Sequence, residues 1–104
     1  MAWAFLIAAG VFEIAATTAF RFVDGFTRVV PTLAFVLTGI ASLYCLNRAV
    51  GEIPIGTAYA VWTGVGAAGT VLVGLAFFSE PSGALRLAFL LVLIGAIIGL
   101  RLTA

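Results

Sequence analysis

Lysine and histidine are absent from this chain, and cysteine occurs once, as Cys45. A single cysteine excludes an intrachain disulfide and a cysteine-based metal cluster. It reads as a small apolar residue in an apolar run. Charge is also scarce. Only 9% of the 104 residues are charged, where a soluble domain carries about 25%. A net charge of +1 supplies no basic field for nucleic acid. There is no nucleophile–base pair, no metal-ligand cluster and no phosphate loop, so neither an enzyme nor a metal or cofactor protein is expected.

Apolar side chains fill the space. They make up 64% of the chain, with a mean hydropathy of +1.31. A core this small cannot hide them from water, so the solvent is expected to be lipid. Four apolar runs stand out, at Ala2–Phe20, Val29–Leu46, Ile53–Phe78 and Leu85–Leu100. The first is long enough to cross a bilayer as a helix, since roughly 20 residues span about 30 Å. It lacks a basic start, outruns a signal-peptide core and contains an acid, so it is expected to be retained. Short polar connectors favour antiparallel neighbours. The expected fold is a single all-α domain over 1–104, with four transmembrane helices running up and down.

Arg21, Arg28, Arg48, Arg86 and Arg101 all fall at run ends or between runs, as do Asp24, Glu52 and Glu80. Glu13 alone breaks this pattern. A carboxylate inside hydrocarbon costs about 2.5–3.5 kcal/mol on insertion scales and normally faces a cavity, a proton or a cation. One helical turn away stand Ala9, Gly10, Ala16 and Thr17, all small, which leave room beside the acid or admit another helix.

The third run holds Tyr59, Trp62, Thr63 and Gly66 at helical spacing. A tyrosine donates to a carboxylate, and an indole offers its face to a cation. An interfacial anchor or plain packing explains the aromatics too. Gly64 and Gly66 suit either a hinge or close packing. Ser42 is expected to bond to Glu13 or to its own helix backbone. Gly95 and Gly99 in the fourth run form a small-xxx-small pattern that suits dimerisation.

The arginines split almost evenly between the two sides of such a bundle. Arg21, Arg28 and Arg86 share one side, and Arg48 and Arg101 share the other with the N-terminal amine. A residual bias can still select one orientation. Near balance also lets the chain insert both ways and pair with an inverted copy of itself. Such a dimer would bring two Glu13 side chains around one chamber.

At this point the chain resembles the small multidrug resistance family of bacterial exporters, over essentially its whole length. The resemblance rests on Phe12-Glu13-Ile14, on Asp24-Gly25-Phe26-Thr27-Arg28 followed by Pro31, and on the stretch from Pro54 to Gly66. It implies an antiparallel, dual-topology homodimer in the inner membrane that exchanges protons for organic cations. Pro54 to Gly66, with Phe78-Ser79-Glu80-Pro81, is similar to the guanidinium-exporter branch. That branch usually has a tryptophan where this chain has Ala16, and a lysine where it has Arg21. Ala15-Ala16-Thr17-Thr18 instead resembles the branch that expels quaternary ammonium and aromatic cations. Losing an indole beside Glu13 enlarges the site, which favours bulkier, greasier cations, with guanidinium as the alternative.

The expected mechanism has a cation and protons taking turns on Glu13. Tyr59 would orient the acid, Trp62 and Thr63 would line the cavity, and Ser42 would polarise acid or ligand. Two other classes compete. A proton channel needs a continuous polar path, which the other runs lack. A structural or heterodimer-partner subunit would show one fixed orientation.

Overall fold

The computed structural model describes residues 1–103. Four helices account for most of them: α1 (Ala2–Phe20), α2 (Val29–Ala49), α3 (Ile55–Phe77) and α4 (Ala84–Thr103). With 19 to 23 residues each, all four are long and apolar enough to cross a membrane. The bounds follow the apolar runs closely. The second helix carries its periodicity three residues further, through Asn47, Arg48 and Ala49. No strand occurs among the described residues.

Helix ends have local causes. Between α1 and α2, Asp24, Gly25 and Phe26 take φ values of 48°, 66° and 68°. This left-handed run reverses the chain, and Gly25 adopts it without a Cβ clash. Thr27 Oγ1 closes the turn by donating to the Asp24 carbonyl at 2.6 Å. Pro54 caps α3 in extended conformation, and its carbonyl receives the N–H of Ala58 at 2.9 Å. At the other end of α3, Ser79 takes φ 54°. The N–H groups of Phe78 and Glu80 both fold back on the Gly74 carbonyl.

The helices alternate in direction, and charged clusters mark the two ends. At one end Glu80 pairs with Arg21 at 2.5 Å and with Arg86 at 3.7 Å. The Arg21 guanidinium also lies 3.9 Å from the Phe78 ring centre. At the other end, Arg48 stacks over Phe5 and Arg101 over Trp3, both on the first turns of α1. Apart from Glu13, charges thus sit at two levels, with apolar helix between them.

The bundle is flat. Its extents are 41 × 35 × 17 Å. Helix α1 packs against both α2 and α3, while α4 packs along α3 and reaches α1 through Arg101 over Trp3. The core lies near the start of α1, where Ala2 and Leu6 meet Ala49, Ile53, Ala58 and Val61. Large apolar side chains on the outer faces stay exposed, among them Leu37, Ile40, Phe89, Leu91 and Val92. In water such faces would be a liability; in lipid they are the solvated surface.

Lipid tails are as apolar as leucine, so helices in a membrane associate through close packing. Glycines on the α1–α3 seam supply it. A Cβ at Gly10 would come within 2.5 Å of Val65, and one at Gly69 would overlap the Ile14 side chain. Gly64 meets Ile97 of α4 in the same way. Overpacking such a seam costs about 1–3 kcal/mol. We expect Gly69→Leu to lower the thermal midpoint of the purified protein in detergent, with Gly56→Leu, at an open position, leaving it nearly unchanged. Equal midpoints for the two variants would show that the seam is loose.

Candidate functional site

Glu13 lies midway along α1, where that helix crosses α3. Its stem rests against Gly66: a Cβ there would come 2.9 Å from Glu13 Cγ. The missing side chain on α3 is therefore the space that seats the acid. No side chain among the described residues hydrogen-bonds to the Glu13 carboxylate, and every arginine stands at or beyond a helix end.

Two cavities meet at this carboxylate. One, of about 390 Å³, opens between α1 and α3 and is lined by Glu13, Thr17, Trp62, Thr63, Gly66 and Thr70, with Ala67 and Val71. The other, of about 330 Å³, lies towards α2. Ala16, Phe35, Gly39 and Leu43 line it together with Glu13 and Trp62. Glu13 and Trp62 are common to both, so an acid and an indole face two largely apolar chambers. A cation placed in either has a carboxylate for its charge and a ring face for its surface.

The Trp62 indole is held from behind. Its Nε1–H donates to Ser42 Oγ at 2.9 Å, and Ser42 in turn donates to the Ala9 carbonyl at 2.7 Å. Ser42 is fully buried. Ala9 stands four residues before Glu13, so its carbonyl also accepts the backbone N–H of Glu13 in the helix. One chain of bonds thus ties the indole to the turn that carries the acid. Ser42 was expected to bond to Glu13 or to its own helix. Its single proton goes instead to α1, because α1 and α2 are in direct contact at that level.

Several other expected residues sit elsewhere. Tyr59 lies in a separate cavity with Leu43, Leu46, Asn47, Val50 and Ile55. It is exposed, makes no bond to Glu13 within this chain, and places its ring 5.9 Å from that of Trp62. The three-residue step from 59 to 62 carries it a turn towards the helix start. Gly10 faces Val65 on the seam rather than a cavity. Gly64 and Gly66 occur in an unbroken helix and act as contact positions. Gly95 and Gly99 meet nothing within the chain and lie on the open side of α4.

Thr70 escaped the sequence reading. It follows Gly66 by four residues, so extending the Trp62, Thr63 and Gly66 stripe by one turn would have found it. Its hydroxyl lies 2.6 Å from that of Thr17. Phe35 and Gly39 carried no signal of their own; only the packing of α2 on α1 brings them to the site.

Fold and site together define a small all-helical membrane protein with one acid between two chambers. A family model described as "Small Multidrug Resistance protein" matches residues 1–94. The chain is 39% identical over 103 residues to a protein named "Guanidinium exporter" from Escherichia coli O6:H1, covering 99% of this chain and 98% of that one. Proteins of the same name from Proteus vulgaris and Citrobacter freundii are 38% and 37% identical, covering 100% of both chains and 99% and 98% respectively. The chain belongs to the small multidrug resistance family, and is thus a multi-pass exporter of the bacterial inner membrane.

Ser42→Ala and Trp62→Phe each remove one end of the same hydrogen bond. A double-mutant cycle in unfolding free energy should give a coupling of about 1 kcal/mol. Strictly additive losses would show that the indole is held by packing alone.

Proposed function

We propose that this protein exports guanidinium-type cations from the cytoplasm in exchange for protons, with Glu13 carrying both. The observation behind this reading is a carboxylate without a partner among the described residues, seated on Gly66 and shared by two chambers. Protons and a cation bind to the same oxygens, so one displaces the other. Protons arriving from the outside release the cation, and a cation from the cytoplasm releases protons. The relatives named guanidinium exporters match over the full chain and favour that cation class. The lean towards quaternary ammonium, drawn from Ala16, gives way to it as the first reading.

Ala16 still supports a second substrate class. It borders the chamber towards α2, where a tryptophan would fill space. Bulkier cations therefore remain the second reading, as secondary substrates of the same acid.

The working unit in this proposal is an inverted homodimer. In a slab 17 Å thick with α4 attached on one side, both chambers stay open to the outside and a second copy is needed to close them. The open faces of Gly95 and Gly99 on α4 suit a second copy. The near balance of arginines at the two ends suits opposite insertion. In that arrangement exposed Tyr59 is available to the facing copy. Membrane lipid covers the remaining faces, and nucleic acid has no role.

The test is transport in liposomes of purified protein under a pH gradient. Wild type should exchange guanidinium for protons and move tetraethylammonium more slowly. Glu13→Gln should fold, as judged by its thermal midpoint, and lose both activities. Proton-driven export by Glu13→Gln would overturn the assignment. Exchange of tetraethylammonium alone would overturn the choice of substrate. Proton flux without cation exchange would identify a channel.

A further inference from the structure

Glu13 fixes the charge of a passenger but does not choose among cations. One turn farther along, the chamber between α1 and α3 has a second polar feature. Thr17 Oγ1 and Thr70 Oγ1 lie 2.6 Å apart, and both residues line that chamber with Glu13. Each hydroxyl also reaches its own helix. Thr17 lies 3.0 Å from the Glu13 carbonyl oxygen and 3.1 Å from that of Ile14, and Thr70 lies 2.7 Å from that of Gly66.

Proton counting decides what this pair offers a ligand. Two hydroxyls carry two protons and four lone pairs. One proton closes the bond between them, and the other goes to a backbone carbonyl. No proton remains for a ligand, whereas unused lone pairs do. The pair is an acceptor with nothing to donate. A cation with N–H groups can satisfy it. A quaternary ammonium has no such hydrogen, and its apolar surface would strip water from those lone pairs without replacing the bond.

We infer that Thr17 and Thr70 form a selectivity element, accepting N–H groups of the passenger while Glu13 holds its charge. This rests on the export reading above and narrows its substrate class. Thr17 follows Glu13 by four residues, about 6 Å along the axis. A cation with N–H groups spread over that step meets both features, so substituted guanidines are the favoured class. The same geometry ranks them above quaternary cations despite the room beside Ala16. The pair also joins α1 to α3 directly across the chamber, so a bound N–H group contacts both helices together.

Binding separates this idea from the transport reading. Purified protein in detergent is titrated by calorimetry with aminoguanidinium and with tetraethylammonium. Thr17→Val and Thr70→Val keep the side-chain shape and remove the acceptor. Each should weaken aminoguanidinium about tenfold, the effect of one hydrogen bond to a charged group. Each should tighten tetraethylammonium or leave it within about twofold, and Thr70→Ser should retain wild-type affinity for both. Equal losses for the two cations, or no loss for aminoguanidinium, would overturn the inference. So would a wild type that binds no N–H cation. A wild type that binds aminoguanidinium selectively yet fails to exchange it in liposomes would sink the export reading and leave this one standing.

Discussion

An ionisable group in hydrocarbon must be given surroundings, and this chain supplies them by subtraction. A carboxylate at the middle of a transmembrane helix costs about 2.5–3.5 kcal/mol on insertion scales. Around it the fold leaves room, with Gly66 opposite the acid, small residues on either side of it, and the indole of Trp62 at the edge. Among the described residues, no cation pairs with Glu13. The arginines are spent at the helix ends, where Arg21 and Arg86 hold Glu80 and where Arg48 and Arg101 lie over the aromatics of α1. In the proposed function, that leaves the acid for something that comes and goes.

The same economy governs the packing. Close approach of α1 and α3 depends on Gly10 and Gly69, and that of α3 and α4 on Gly64. These contacts hold the two helices that frame the larger chamber at a set distance. The bond chain from Trp62 through Ser42 to Ala9 then fixes the indole against the acid's own helix. Rigid framing suits a site in which two ligands exchange on one group. The outer faces carry no comparable polar order, as expected where lipid or a second copy is the neighbour.

Much of this was readable from residues alone. Apolar run lengths gave the four helices almost to their ends, because lipid imposes one length on every span. Glu13 was legible for the same reason: an acid in oil has few innocent explanations. The site's walls were harder to see. Ser42 turned out to serve the indole rather than the acid, since its partner is set by which helix faces it. Tyr59 and Trp62 share a stripe in sequence, yet the crossing of α1 and α3 leaves only Trp62 beside Glu13. Gly64 and Gly66 look alike in the sequence; one seats Ile97 and the other the acid. Distinctions of that kind depend on helix crossing points, which periodicity does not encode.

Everything above turns on protons and a cation using the same carboxylate. The most direct measurement is proton release on binding. Guanidinium is added to purified protein in weakly buffered detergent solution, and the change in pH is followed over a range of starting values. The account predicts acidification on binding within a window of pH, and a weakening of binding as the medium becomes more acidic. Guanidinium binding at every pH without any proton released would contradict it.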